Sequence, residues 1–104
     1  MKVKILKFSK AKYPYKYKVS LEVDDKAKTI KFGRKPYKDF TIYSTMDEEL
    51  ARERKKAYLR RHKAKENWNK SGITTRGFWS RWILWNQPTV EESLKHVKLR
   101  FNLM

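Results

Sequence analysis

The sequence predicts an α+β fold in one domain, with a small antiparallel N-terminal sheet of three or four strands packed on about three C-terminal helices. Three observations predict it. Residues 15 to 23 alternate strictly, with Tyr15, Tyr17, Val19, Leu21 and Val23 apolar and Lys16, Lys18, Ser20 and Glu22 polar, which is the period of a half-buried strand. Helix-start signatures at Thr45 to Glu48 and Thr89 to Glu92 both fall in the second half of the chain. The 104 residues, 39% hydrophobic and 14% aromatic, suit a single packed core. Residues 1–104 therefore form one domain, mainly strands over 1–45 and mainly helices over 46–104, with no internal repeat and no linker.

The elements follow in order. Val3 and Ile5 fall on one face and Leu6 and Phe8 on the other, so the opening strand needs a bulge or an end near Leu6. Asp24-Asp25-Lys26 supplies turn chemistry after the alternating strand. Ile30 and Phe32 then share a parity, which gives an antiparallel hairpin with both side chains in the core. Gly33-Arg34-Lys35-Pro36 breaks the third strand, and Phe40 to Tyr43 offers a short fourth with Phe40 and Ile42 inward.

Thr45 and Glu48 form a capping box that starts a helix on which Leu50, Arg54, Ala57, Tyr58 and Arg61 share a narrow face. Asn67 to Gly72 reads as a helix exit and loop. Phe78 to Trp85 reads as a short helix, apolar nearly all round and the most buried of the three. Asn86-Gln87-Pro88 ends it. Thr89 with Glu92 then caps an amphipathic helix with Val90, Leu94, Val97 and Phe101 inward.

With 27 Lys and Arg against 11 Asp and Glu, the formal net charge is 27 − 11 = +16, which points to a polyanionic partner. No detachable tail carries this charge: residues 1–45 hold 13 basic and 4 acidic residues, and residues 46–104 hold 14 and 7. Lys2, Lys4, Lys7, Lys10, Lys12, Lys16 and Lys18 are expected on exposed strand faces and a loop. The absence of cysteine excludes disulfides, thiolate metal sites and Cys nucleophiles. No apolar run suits a secretory signal or a membrane helix, so the expectation is a protein that is neither secreted by that route nor transmembrane.

No Gly-rich phosphate loop, zinc-ligand cluster or serine nucleophile motif is present, so neither an enzyme nor a cofactor is expected. His62 and His96 lie far apart in sequence, which argues against a metal site. Adjacent carboxylates at Asp24-Asp25 and Glu91-Glu92 are explained by a turn and a helix first turn. Tyr15 and Tyr17 read as core residues, Tyr13 as a loop anchor, and Tyr37, beside Pro36 in a basic loop, as the better contact residue. Arg60-Arg61-His62-Lys63 is the densest basic cluster, with few acidic residues near it to neutralise it. The four tryptophans read as core or as a protein interface; a membrane-surface foot explains them less well.

A block of residues carries a resemblance. Phe32-Gly33, Tyr37, Asp39-Phe40-Thr41-Ile42, Arg54-Lys55, Tyr58, Arg61-His62, Glu66-Asn67-Trp68 and Ser71-Gly72 lead into Gly77-Phe78-Trp79-Ser80-Arg81-Trp82-Ile83-Leu84-Trp85-Asn86 and Pro88. Over this C-terminal two-thirds the chain resembles a family of short, basic, uncharacterised proteins of large DNA viruses of algae and amoebae. The resemblance implies a virion component, placed in the particle and in the host-cell cytoplasm or viral factory. It implies no activity. Tyr43 stands where similar proteins often carry histidine, which weakens any role for this position as ligand or base.

The expectation is a non-enzymatic, virion-associated nucleic-acid-binding protein with low sequence specificity, DNA favoured, that contacts phosphates through Arg34, Arg52, Lys56, Arg60, Arg61 and Lys63 and stacks a base on Tyr37. The alternative is a minor capsid or cement protein whose basic and aromatic surfaces dock on acidic viral capsid or core proteins. Tryptophan exposure separates the two: exposed Trp79, Trp82 or Trp85 favours the capsid reading, and their burial beneath an open basic face favours nucleic acid. The sequence leaves a homo-oligomer open in either case.

Overall fold

A computed structural model describes residues 1–103. Three antiparallel strands, β1 (Val3–Lys10), β2 (Tyr15–Val23) and β3 (Lys26–Arg34), form a meander in the order β1-β2-β3. Four α-helical segments follow: α1 (Phe40–Tyr43), α2 (Glu48–His62), α3 (Arg76–Trp79) and α4 (Val90–Arg100). A 3₁₀ turn at Lys70–Gly72 precedes α3, and one π-helical turn, Ser80–Leu84, continues it. The α+β class and the sheet packed on helices are as the sequence predicts. None of these helices is long and apolar enough to cross a membrane.

Alternation sets the sheet. Val19 opposite Ile30 and Tyr17 opposite Phe32 put four apolar side chains on one face of the hairpin, and Val19, Ile30 and Phe32 are buried. The expected bulge is present: Ile5 pairs with Leu21 and Lys7 with Ser20, so Leu6 is left unpaired and exposed. That extra residue brings Phe8 onto the core side, where its ring stacks on Tyr17 at 5.6 Å. β3 runs through Gly33 and ends at Arg34, inside the expected break from Gly33 to Pro36. Gly33 adopts φ +72°, and a Cβ there would come within 2.7 Å of Leu84 Cδ1, so this position needs glycine for both backbone and space.

The helices close over the apolar face. Phe78, Trp79, Ile83 and Leu84 are buried with Phe32, Leu21 and Val97 in one cluster, as expected for the most apolar helix. Burying an indole requires a partner for its N–H. Trp79 Nε1 donates to the Ile73 carbonyl at 2.7 Å and Trp82 Nε1 to the Trp68 carbonyl at 2.9 Å, which ties the connecting loop to the core. Where the π turn ends, Arg81 donates to the Trp85 carbonyl and the Asn86 amide to that of Trp82, satisfying acceptors the helix releases. Thr89 caps α4 by accepting from the Glu92 N–H at 3.1 Å.

Three expectations change. Phe40 to Tyr43 is a turn of helix, not a fourth strand. The Asp39 carboxylate accepts from the N–H groups of Thr41 and Ile42, at 2.9 and 3.3 Å, and this local cap outweighs the alternation. Phe40 is still buried, but the helical turn rotates Ile42 outward. The cap of α2 is Asp47, which accepts from Glu49 and Leu50; Thr45 instead donates to the Ile42 carbonyl and closes α1. Lys16 does not line an open strand face: its side chain is 11% exposed and its Nζ lies 2.7 Å from Asp39 Oδ2, itself 4% exposed.

Removing one member of a buried ion pair leaves the other charge unpaired, at a cost of about 3–5 kcal/mol. Asp39→Asn keeps a capping oxygen but strips Lys16 of its counter-charge, so unfolding in urea should show a loss of about that size; wild-type stability in this variant would contradict the role given to the pair.

Candidate functional site

A cleft of about 690 Å³ opens where the far end of the hairpin meets α2 and the start of α3. The strand side contributes Tyr15, Arg34, Tyr37 and Lys38, α2 contributes Arg54, Tyr58 and Arg61, and Arg76 closes the third side. Each element delivers its residues for a local reason. Arg54, Tyr58 and Arg61 are spaced four and three residues apart, hence on one helical stripe. The Lys16–Asp39 pair, with Lys16 Nζ also donating to the Tyr37 carbonyl, holds the loop from Arg34 to Asp39 against β2.

Aromatic rings form the base of the cleft. Tyr58 lies parallel to Trp85, at 4.4 Å and 4°, and His62 also stacks on it at 4.4 Å. Trp85 in turn approaches Tyr43 at 6.4 Å. Two arginines are seated on rings at the edge: Arg54 over Tyr43 at 5.7 Å and Arg76 over Tyr15 at 4.8 Å, the latter also donating to the Lys31 carbonyl at 3.0 Å. Such contacts orient a guanidinium without neutralising it.

The acidic groups of the cleft are already engaged. Asp39 holds Lys16. Glu66 lies 3.5 Å from His62 Nδ1 and accepts from Trp68 Nε1 at 3.0 Å. Gly77 makes that possible, because a Cβ there would stand 2.6 Å from the Glu66 carboxyl carbon. Among the described residues, Lys16 is the only one of the 27 Lys and Arg side chains within 4 Å of a carboxylate. The cleft is thus a positive, ring-lined concavity suited to a planar anion-bearing ligand, through guanidinium forks and ring faces.

The seven residues singled out from sequence do not form one site. Arg34, Tyr37 and Arg61 meet in the cleft. Arg52 and Lys56 line a separate groove with Asn86 and Pro88 on another side of α2. Arg60 and Lys63 line a third, beside Trp68, Arg81 and Arg100. Arg54, Arg76, Tyr15 and Tyr43 were not anticipated as site residues; the shared face of Arg54, Tyr58 and Arg61 was legible but suggested packing only. Tyr37 is 70% exposed, as its role requires, whereas Tyr13 is no anchor and lies 78% exposed.

The two histidines serve different places. His62 sits on Tyr58, and His96 Nδ1 lies 2.8 Å from the Asn86 amide. Among the described residues no cluster of three or more His, Cys, Asp or Glu could hold a metal ion. Trp79 and Trp82 are buried, and Trp85 is half-buried under Tyr58. The chain matches no protein-family model, no curated protein and no solved structure.

Burial, reinforced by Glu66 and opposed by Arg81 and Arg61, pushes the Tyr58 phenol well above its ordinary value of 10.0. The folded form therefore keeps this proton where the unfolded chain releases it, so the associated stability is complete below pH 10 and is lost as pH rises beyond it. Tyr58→Phe keeps the stack and removes the proton. Denaturant unfolding at a series of alkaline pH values should show the wild type losing stability faster than the variant above pH 10; parallel losses would contradict the burial argument.

Proposed function

We propose that this protein binds nucleic acid without catalysing a reaction on it, neutralising backbone phosphates with arginine and lysine and reading little sequence. The observation that carries the reading is the lack of internal neutralisation in a +16 chain, where among the described residues one Lys or Arg has a carboxylate partner. A folded surface of this kind attracts phosphates by releasing their condensed counterions. DNA is the favoured partner. Association with the particle of a large DNA virus, and with the cytoplasm or viral factory of its host cell, belongs to the same proposal and rests on the sequence resemblance.

The capsid reading needed a tryptophan on the surface to serve as its aromatic anchor. Trp79 is fully buried, Trp82 is 7% exposed and Trp85 is half-buried, so the core claims two of the three rings it would use. Unneutralised charge suits both readings, and the burial of Trp79 and Trp82 favours nucleic acid.

Labelled-DNA anisotropy across a salt series tests it. A complex engaging several phosphates has an affinity that falls linearly on a log–log plot, with a slope of about −0.9 per phosphate on duplex and about −0.7 on single strands. A slope below that of two phosphates, or no saturable binding near physiological salt, would overturn the proposal.

A further inference from the structure

The cleft and the outer basic faces are different surfaces, and the cleft suits a narrower class of ligand. Duplex readers insert a protruding helix or ribbon into a groove about 12 Å wide. The cleft is the opposite shape. At about 690 Å³ it has the size of a small-molecule site, with room for a nucleotide and none for a double helix.

We propose that the cleft holds single-stranded nucleic acid, with a backbone phosphate between Arg54, Arg61 and Arg76 and the adjoining base on Tyr37. This rests on the reading above and narrows it. Arg54 and Arg76 are already oriented by Tyr43 and Tyr15, so binding a phosphate loses less side-chain freedom than it would with free arginines. Tyr37 is a large, exposed ring on the rim whose backbone is fixed by Lys16, a stacking platform in place before the strand arrives. Asp39 is neutralised by Lys16, and Glu66, held by Trp68 and His62, is the one carboxylate of the cleft without a Lys or Arg partner, outnumbered by Arg54, Arg61 and Arg76. Stacking on one tyrosine tolerates any base, in keeping with little sequence preference. A base reaches Tyr37 only if it is unpaired, and this excludes duplex from the cleft.

The full chain would be titrated, at one salt concentration, with a labelled oligothymidylate, a duplex of equal length and thymidine monophosphate. The single strand is expected to bind at least about tenfold tighter than duplex. Tyr37→Ala should weaken the single strand about ten- to a hundredfold, the range of one stacked base, and leave duplex unchanged, while Tyr37→Phe keeps the ring and the affinity. Arg60→Ala with Lys63→Ala, outside the cleft, should weaken both polymers alike. Tighter binding of duplex, an equal effect of Tyr37→Ala on both polymers, or a mononucleotide that binds as tightly as the strand would each overturn the inference and leave nucleic-acid or nucleotide binding standing. If neither polymer binds, the function proposed above falls with it.

Discussion

The ion pair between Lys16 and Asp39 is the contact on which the arrangement of this molecule depends. A chain with a net charge of +16 repels itself on folding, and it has few carboxylates with which to offset the repulsion. Asp39 is placed where one carboxylate does several tasks. Oδ2 meets Lys16 on the central strand, and Oδ1 accepts from Thr41 and Ile42 and so starts α1. The same pair fixes the loop that carries Arg34, Tyr37 and Lys38. Sheet, helix start and one side of the cleft thus share a single anchor.

Elsewhere the protein accommodates positive charge on rings. Arg81 lies 4.2 Å from the Trp82 ring centre and 5.6 Å from that of Trp68, and Arg100 covers Trp82 at 4.7 Å. Burial, followed by the nearby Arg100, makes Arg81 less basic than an ordinary arginine; a tyrosine beside it, Tyr58, acts in the opposite sense. Lys55 is likewise made less basic by burial and then by Arg81, and its ammonium rests over Phe40 and donates to the Asn86 carbonyl. Rings position these cations and shield their stems without cancelling their field. A protein stabilised in this way leaves its positive charge unneutralised, which salt bridges would not do.

Local rules made much of the fold legible. Alternation located β2 and the hairpin, the parity conflict at Leu6 located the bulge, and Thr89 located the start of α4. Phe40 to Tyr43 was misleading because its alternation is genuine, yet a carboxylate one residue upstream supplies a cap that favours helix. Lys16 was misread because its partner lies 23 residues away, and no local pattern distinguishes a buried strand lysine from an exposed one. The cleft was legible only in part. The stripe of Arg54, Tyr58 and Arg61 is visible as helical spacing, but its closure by Arg76 and Tyr15 depends on tertiary packing. The basic run at Arg60 to Lys63 drew attention by density, whereas helix geometry sends Arg61 to the cleft and Arg60 and Lys63 to another groove.

The most direct test of the central claim, that the cleft is where this charge is used, is an NMR titration of the arginine side-chain Nε–H resonances with a short oligothymidylate. The account predicts that Arg54, Arg61 and Arg76 shift together at the lowest strand concentrations, ahead of Arg60 and Arg100. Early shifts confined to Arg60, Arg81 and Arg100, or spread evenly over every arginine, would contradict it and move the site to the outer faces.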